Sequence, residues 1–294
     1  MRRLAAAFRA APAPLRSGRV LVGGLIVLFV AAVAIFAPWI APHDPNEQDL
    51  FGNLLPPAWD AMGDPIYLLG TDSLGRDILS HLVYGARVAM VVAVLASLGA
   101  MVLGVTLAHV AGYFGGWVDW LITRLVDLWM SFPPVILSLI LMVGLGVGVD
   151  NVILAIILVD WTRFCRVVRA EVLVVRRRDY IPAARLLGFS HPRTLFREVL
   201  PSVLPLVITL MSLEMGIAVI VEAILSFVGL SVESDVPAWG MMIADARQYM
   251  YQSVWSLIFP ILAVLITVLG FNLLGDGLRR TLDPKLRQAR HTSA

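Results

Sequence analysis

The sequence predicts an all-α integral membrane protein that crosses the bilayer six times. Hydrophobic residues make up 59% of the 294 residues, whereas charged residues make up only 15%. Soluble globular domains contain about 45–50% apolar and about 25% charged residues, so the composition argues against a water-soluble enzyme. Six apolar stretches are long enough to cross a bilayer, which takes about 20 residues each. The predicted spans are residues 20–41, 87–112, 117–148, 150–171, 199–229 and 252–275.

The distribution of charge along the chain predicts an even number of crossings. Residues 1–19 carry five Arg, residues 162–200 carry nine Arg, and residues 276–294 carry five basic residues. Because Lys and Arg concentrate in cytoplasmic segments, six spans place both termini and the loop at 172–198 in the cytoplasm. The predicted organisation is a cytoplasmic tail at 1–19, a first transmembrane helix at 20–41, an extracytoplasmic segment at 42–86, a transmembrane core at 87–276 and a cytoplasmic tail at 277–294.

The third apolar stretch is too long for one straight span. Pro133 and Pro134 follow Phe132 in its middle, and proline removes a backbone donor and clashes with the preceding helical turn. We therefore expect an initial helix, a break at the prolines and a spanning part, which together count as one crossing.

The extracytoplasmic segment predicts a separate amphipathic helix after residue 73. Thr71, Asp72 and Ser73 are of the types that cap helices. Beyond them, apolar residues recur at helical spacing as far as Gly85, and polar residues fill the other face. A helix of this kind would lie on the outer membrane surface. Sealing of the bundle and a gating or partner-facing role are equally compatible with this pattern.

The loop at 172–198 predicts two short helices. Ala183, Ala184, Leu186 and Leu187 can form the first, and Gly188 can end it because glycine readily adopts the left-handed cap conformation. A second helix begins near Pro192 and leads into the fifth span. The loop is either an ordinary helical hairpin or a compact helix that docks into the groove of a partner.

Residue types needed for catalysis are not grouped in this sequence. The chain lacks the GxxxxGK[ST] pattern of a P-loop, its only Cys is Cys165, and its five His are scattered. We therefore predict no catalytic, cofactor-binding or metal-binding residues in this chain and no nucleic-acid partner.

The 172–198 loop resembles the EAA motif of ABC importer permeases, in which EAA is followed by three residues, Gly, nine residues and I-x-L-P. Pro182-Ala183-Ala184 takes the EAA place, Gly188 takes the place of the glycine, and Glu198-Val199-Leu200-Pro201 the end. Pro182 replaces the Glu and Glu198 replaces the Ile, whereas the spacing is intact. Five further strings are similar to the second permease subunit of the dipeptide/oligopeptide/nickel importers: LGTDSLGRDILSHLVYGAR (69–87), GYFGGWVD (112–119), AILSFVGL (223–230), PAWG (237–240) and FNLLGDGLRRTLDPKL (271–286).

This resemblance implies a type I ABC importer permease fold with a cytoplasmic coupling helix, in a multi-pass protein of the bacterial cytoplasmic (inner) membrane. It implies that the chain is not an enzyme and that ATP-Mg is bound by two partner ATPase subunits. The other implied partners are a homologous permease, an extracytoplasmic substrate-binding protein, the lipid bilayer and a di- or oligopeptide substrate. The residues implied to couple to the ATPase are Asp179, Ala183, Ala184, Leu187, Gly188, Arg193 and Pro201.

Two glutamates on the fifth span are candidate pathway residues. Glu214 and Glu222 are eight residues apart and hence share roughly one helix face. Our hypothesis is that Glu214 meets the ammonium group of a peptide, and a buried hydrogen bond to the partner permease is the alternative. Oppositely charged residues three apart are interpreted as structural pairs within the bundle: Arg124 with Asp127, and Asp160 with Arg163.

Other functions remain open at this point. The same machinery could import nickel chelates, glutathione or other small solutes. A different class is an ion-coupled secondary transporter that acts alone, although no clear inverted repeat relates the two halves of the chain.

Overall fold

A computed structural model of the protein describes residues 17–282, and this part of the chain is helical, with no β-strand. We number the α-helices in chain order: α1 Gly18–Ile35, α2 Ala37–Ile40, α3 Ile78–Phe114, α4 Gly116–Met130, α5 Pro134–Leu145, α6 Val149–Val175, α7 Tyr180–Leu186, α8 His191–Thr194, α9 Leu200–Phe227, α10 Trp239–Ala246 and α11 Trp255–Leu282. A π-helical turn at Leu195–Val199 joins α8 to α9. The predictions for residues 1–16 and 283–294 lie outside the described residues.

Four helical segments of the described chain are long and apolar enough to cross a membrane, namely α1, α3, α11 and the segment from α8 to α9. The helices α4 and α5 form a fifth candidate, bent by 88°. The break predicted at Pro133 and Pro134 is confirmed, because α5 begins at Pro134.

The fourth predicted span, at residues 150–171, corresponds to α6. Its 27 residues give a length of about 40 Å, enough to cross a bilayer. However, α6 carries Asp160, Arg163 and Arg166 in its middle, and it is too charged to count as an apolar span. Six crossings are therefore supported by helix length, whereas composition supports five.

Small residues allow α3 and α6 to approach closely. A Cβ atom at Gly104 would lie 2.3 Å from the carbonyl oxygen of Trp161, so only glycine fits there. Close contact of small residues is the usual way in which membrane helices pack, because lipid supplies no hydrophobic driving force. The fully buried alanines on α3 are Ala89, Ala93, Ala96, Ala100, Ala108 and Ala111.

The prediction of a separate amphipathic helix after Thr71-Asp72-Ser73 was wrong. Asp72 instead accepts hydrogen bonds from the backbone N–H groups of Leu74 and Arg76, both at 2.9 Å, and so closes a turn. The cap is Asp77, whose carboxylate accepts from the Ser80 backbone N–H at 2.9 Å. The helix that follows runs without interruption from Ile78 into the membrane-spanning part of α3. Asp72 and Asp77 are both able to cap a helix, and the helix begins after Asp77.

The two extramembrane segments lie at opposite ends of α3. Residues 42–77 lead into its first turn. At its other end, the Gly112 carbonyl accepts from the Arg176 guanidinium at 3.3 Å, and the Tyr113 hydroxyl contacts His191 Nδ1 at 3.1 Å. A helix of 37 residues separates the ends by about 55 Å. The loop between α6 and α9 is therefore on the opposite side of the bundle from residues 42–77.

Candidate coupling loop and intramembrane charge cluster

The short helix α7 is anchored on one side. It follows α6 after a four-residue turn, and both Ile181 and Ala184 are buried on its inner face. These two side chains point into the bundle, and Ile181 belongs to a hydrophobic cluster at the adjoining ends of α6 and α9. Burial of one isoleucine side chain contributes about 1.5–3 kcal/mol, which ties the loop to two long helices. Neighbouring members of that cluster are Val172, Val175, Val199 and Val203.

The outer end of α7 is exposed and apolar. Leu186 is 89% exposed and Leu187 is 81% exposed. The helix ends in a Schellman motif, because the Phe189 N–H donates to the Ala184 carbonyl and the Gly188 N–H donates to the Arg185 carbonyl. Gly188 adopts φ +86° with no atom near its missing side chain. The sequence-based prediction of a short helix ended by Gly188 is confirmed.

The remaining residues predicted for coupling are distributed over the loop and the start of α9. Ala183 is exposed beside the two leucines, and Pro201 is exposed in the first turn of α9. Asp179 precedes α7, and its side chain makes no capping hydrogen bond. The Arg193 guanidinium lies 4.2 Å from the centre of the Phe189 ring, a cation–π contact that stiffens the second half of the loop. Ala184 differs from the others because it faces the interior.

A row of arginines on α6 joins this helix to α4. Arg169 makes a two-pronged contact with Asp119, with Nη2 at 2.6 Å from Oδ2. One turn closer to the middle of the helix, Arg166 Nη2 lies 3.1 Å from Asp127 Oδ1. The predicted pair of Arg124 with Asp127 is present at 3.9 Å, but Arg166 is the nearer partner. These cross-helix bridges were missed by sequence reasoning, since about 40–50 residues separate each pair.

Arg163 continues this row into the middle of the bundle. Its Nε atom lies 3.8 Å from Asp160 Oδ1, which confirms the predicted pair. Its Nη1 atom lies 3.4 Å from Glu214 Oε1 on α9. Asp160 and Glu214 are buried, whereas the Arg163 side chain is 33% exposed. Glu214 therefore joins the Asp160–Arg163 pair within the same chain. The spacing of these residues along the sequence does not predict this contact.

Glu222 has different surroundings from Glu214, although both lie on α9. It is 1% exposed and accepts hydrogen bonds from the hydroxyl groups of Ser226, at 2.5 Å, and Ser231, at 3.2 Å. The Ser231 carbonyl accepts from the Gly148 N–H at 2.8 Å. Glu222 therefore ties the end of α9 to the start of α6 and has its polar partners within this chain.

Comparison with known families agrees with this arrangement. Residues 100–288 match the family described as binding-protein-dependent transport system inner membrane component. The chain belongs to this family. Residues 15–57 match the N-terminal transmembrane domain of oligopeptide transport permease C. The protein is therefore a multi-pass inner-membrane permease of the dipeptide/oligopeptide ABC importer type and a non-catalytic component. Membership in this family excludes the ion-coupled secondary transporter.

Relatives of this permease match over nearly the whole chain. The dipeptide transport system permease protein DppC of Escherichia coli K12 is 42% identical, over 93% of this chain and 91% of its own. The di/tripeptide transport system permease protein DppC of Pseudomonas aeruginosa is 39% identical, over 91% of this chain and 88% of its own. The glutathione transport system permease protein GsiD of Pectobacterium atrosepticum is 37% identical, and the match covers 93% of this chain and 89% of GsiD.

Proposed function

We propose that this permease is a transmembrane subunit of an ATP-driven importer of di- and oligopeptides. The relatives from E. coli and P. aeruginosa are named for dipeptide and di/tripeptide transport, which supports the substrate class. The observation that carries the coupling role is the pair of exposed leucines, Leu186 and Leu187, on a helix anchored to two long helices. Exposed apolar side chains on a short rigid helix are suited to insertion into a groove of another protein.

The complete importer contains several partners. A homologous permease completes the pathway, two cytoplasmic ATPases bind ATP-Mg, and an extracytoplasmic binding protein delivers the peptide. Both termini and the α7 loop face the cytoplasm in this arrangement, and residues 42–77 face the binding protein. The excess of arginine in residues 1–19 and 162–200 supports this orientation.

Closure of the ATPases displaces α7 and switches the permease between two states that open to opposite sides. A ligand or motor shifts such an equilibrium only through contacts that differ between the two states. The buried contacts of Ile181 and Ala184 pass the displacement to α6 and α9. The bridges of Arg166 with Asp127 and of Arg169 with Asp119 pass it on to α4.

The proposed roles of individual residues follow from their placement. Ala183, Leu187 and Gly188 form the docking face, and Ala184 holds that face on the bundle. Glu214 is the proposed pathway residue, whereas the contacts of Glu222 favour a structural role. Asp179, Arg193 and Pro201 lie elsewhere in the loop and at the start of α9, and their part in coupling stays a prediction.

Substitution of Gly188 tests the coupling role. The complex is reconstituted in proteoliposomes, and ATP turnover stimulated by loaded binding protein is measured. Gly188→Ala and Gly188→Trp both place a side chain at φ +86°, so both carry the same backbone strain of about 1–2 kcal/mol. Only the tryptophan adds bulk to the docking face. We expect Gly188→Trp to lose at least about tenfold of the stimulated turnover, equivalent to about 1.4 kcal/mol, and Gly188→Ala to lose much less.

A second pair of variants separates docking from general damage. Leu187→Asp places a charge on the docking face, and Val147→Asp places one on an exposed site in the turn before α6, at the other end of that helix. Leu187→Asp should abolish stimulated turnover and uptake, and Val147→Asp should retain both. Equal losses in the two variants, or unchanged uptake in Gly188→Trp, would refute the coupling role.

Glutathione is the second candidate substrate. It is supported by the relative from P. atrosepticum, whose name states that function. Uptake of a labelled dipeptide and of labelled glutathione is compared in the same proteoliposomes. Uptake of the dipeptide alone supports the peptide assignment, and uptake of glutathione alone supports the other.

A further inference from the structure

Asp160, Arg163 and Glu214 form a cluster, hereafter the triad. It lies at the middle of the bundle, with two residues on α6 and one on α9. Asp160 and Arg163 are about 17 and 21 Å from the start of α6, which is about 40 Å long. Glu214 is about 21 Å from the start of α9, which is about 42 Å long. Ionisable side chains at this depth are costly and usually face protein or a water-filled pathway.

The charges of the triad do not cancel. Two carboxylates face one guanidinium, so the ionised cluster carries one negative charge in excess. The contacts of 3.4 and 3.8 Å are longer than the 2.7–2.9 Å of close charge-assisted hydrogen bonds. Within residues 17–282, no second cation forms a salt bridge with Asp160 or Glu214, because the next arginine, Arg166, is paired with Asp127. When both carboxyl groups are ionised, the triad therefore attracts one more cation.

The triad also reaches an uncovered face of the chain. The Arg163 side chain is 33% exposed, and Val167, one turn further along the same face, is 39% exposed. A guanidinium that faces lipid at mid-membrane depth is energetically costly. That cost is avoided if this face of α6 borders water or cargo. Leu154 lies nine residues before Arg163 and hence on roughly the opposite face of α6. It is apolar and 42% exposed, as expected for a residue that faces lipid.

We propose that the triad is a subsite of the translocation pathway for a cationic group of the cargo, specifically the N-terminal ammonium of a peptide. This proposal rests on the proposed function for the peptide cargo. An ammonium group offers three donors to the carboxylates of Asp160 and Glu214. Arg163 holds both carboxylates in place and limits the net attraction to one charge. A site on a transport pathway must attract the cargo only moderately, because the cargo must enter the site and then leave it.

Cysteine labelling tests, without a transport assay, whether the triad is accessible and attracts cations. A Cys165→Ala background removes the only native cysteine. Single cysteines are placed at Arg163, at Val167 and, as the lipid-facing control, at Leu154. The assembled complex is treated with ethylammonium and ethylsulfonate methanethiosulfonates, which differ in the sign of their charge. We expect residues 163 and 167 to react at least about tenfold faster with the cationic reagent, and residue 154 to react with neither.

Neutralising the carboxylates provides the matched control. Asp160→Asn combined with Glu214→Gln should abolish the preference for the cationic reagent at residues 163 and 167. Failure of both positions to react in any nucleotide state would overturn the proposal, since that face would then be covered. Equal rates for the two reagents with the carboxylates intact would overturn it as well. The Val167 position keeps the test valid if Arg163→Cys fails to assemble.

Transport measurements test the identity of the cargo group. In proteoliposomes, Glu214→Gln should lower uptake of a dipeptide with a free N-terminus by about tenfold in a complex that still copurifies with its ATPase subunits. Unaltered uptake by this variant would overturn the ammonium assignment. If the unmodified complex imports no peptide, the proposed function fails instead, and the labelling preference at residues 163 and 167 still reports on the triad.

Discussion

Residues 176–199 and residues 42–77 lie at opposite ends of α3, and both expose large apolar side chains. Leu186 and Leu187 are the most exposed of the first segment, and Phe51 and Met62 of the second. The first segment consists mainly of helical turns and is anchored through buried Ile181. Its exposed side chains are therefore held at fixed positions relative to α6 and α9.

The second segment is held together in a different way. Residues 42–77 consist of turns, and each of several aspartates accepts a hydrogen bond from the backbone N–H two residues later. Such turns fix the local chain direction without burying side chains. The aspartates in this role are Asp44, Asp49, Asp60, Asp64 and Asp72.

This difference suits two different tasks. A segment with a buried anchor transmits displacement to the helices beneath it, which is what a power stroke requires. A segment of turns joined to one another by backbone hydrogen bonds, such as that from the Leu54 N–H to the Asp72 carbonyl at 2.9 Å, offers a surface on which a partner can bind. The predictions below test whether the anchored segment alone is essential for coupling, and they run from the largest expected effect to the smallest.

Removal of the anchor should produce the largest effect. Ile181→Ala leaves the docking face intact but removes a buried side chain, at a cost of about 2–5 kcal/mol. We expect peptide uptake to fall by at least about tenfold, while ATPase subunits still copurify with the complex. Phe51→Ala is the matched control at the other end, and its uptake should equal that of the unmodified complex. A greater loss of uptake for Phe51→Ala than for Ile181→Ala would reverse the comparison.

Breaking the bridge between α4 and α6 should have an intermediate effect. Asp119→Asn removes the charged partner of Arg169, which is only about one quarter exposed. Loss of a hydrogen bond to a charged group costs about 1.5–3 kcal/mol. Thermal unfolding of the purified complex should show a lower midpoint, and Arg124→Gln, which loses only an exposed contact of 3.9 Å, should leave the midpoint unchanged. An equal shift in both would contradict the role given to the Arg169 bridge.

Loss of the helix cap at the other end should have a smaller effect. Asp77→Ala removes the acceptor for both the Ser80 backbone N–H and the Ser80 hydroxyl and should destabilise the start of α3 by about 1–2 kcal/mol. Hydrogen exchange of residues 78–82 should accelerate, while ATP turnover stimulated by binding protein stays unchanged. The same substitution at Asp60, which only closes a turn, serves as the control. A loss of stimulated turnover in Asp77→Ala would show that this end also participates in coupling.

The smallest effect is expected at Asp245, near the same end. Burial raises the pKa of the Asp245 carboxyl, and Arg76, 3.5 Å away, partly opposes this shift. An acid with a raised pKa in the folded state favours folding when protonated, so its contribution is lost as pH rises through that pKa. Asp245→Asn should therefore raise the unfolding midpoint at about pH 7.5, by less than about 2 °C because the side chain is partly exposed, and the gain should shrink towards pH 4. A gain that grows at low pH would contradict this sign.

The sequence predicts features that depend on nearby residues. The break at Pro133 and Pro134 follows from the chemistry of proline, and the end of α7 follows from Gly188. Local rules also located the pair of Asp160 and Arg163. They failed at Asp72, because a carboxylate there can close a turn as readily as it can cap a helix, and only the competing cap at Asp77 decides between them.

Features that depend on distant residues could not be predicted in this way. Glu214 meets Arg163 across 51 residues, and this contact is set by how α9 packs against α6. The buried position of Ala184 depends likewise on the packing of α7 against the bundle, whereas the EAA-like pattern gives only its place in the helix. The short helix α7 and its end at Gly188 were therefore predictable from the sequence, and the triad only in part.

The central claim is that α7 lies in the cytoplasm and inserts into an ATPase subunit. It is tested most directly with a single cysteine at Leu187 in the Cys165→Ala background, labelled with a membrane-impermeant maleimide. We expect no labelling in right-side-out vesicles, labelling in inverted vesicles that lack the ATPases, and strong protection once the ATPases are bound. Labelling from the extracytoplasmic side, or equal labelling with and without bound ATPases, would contradict the account.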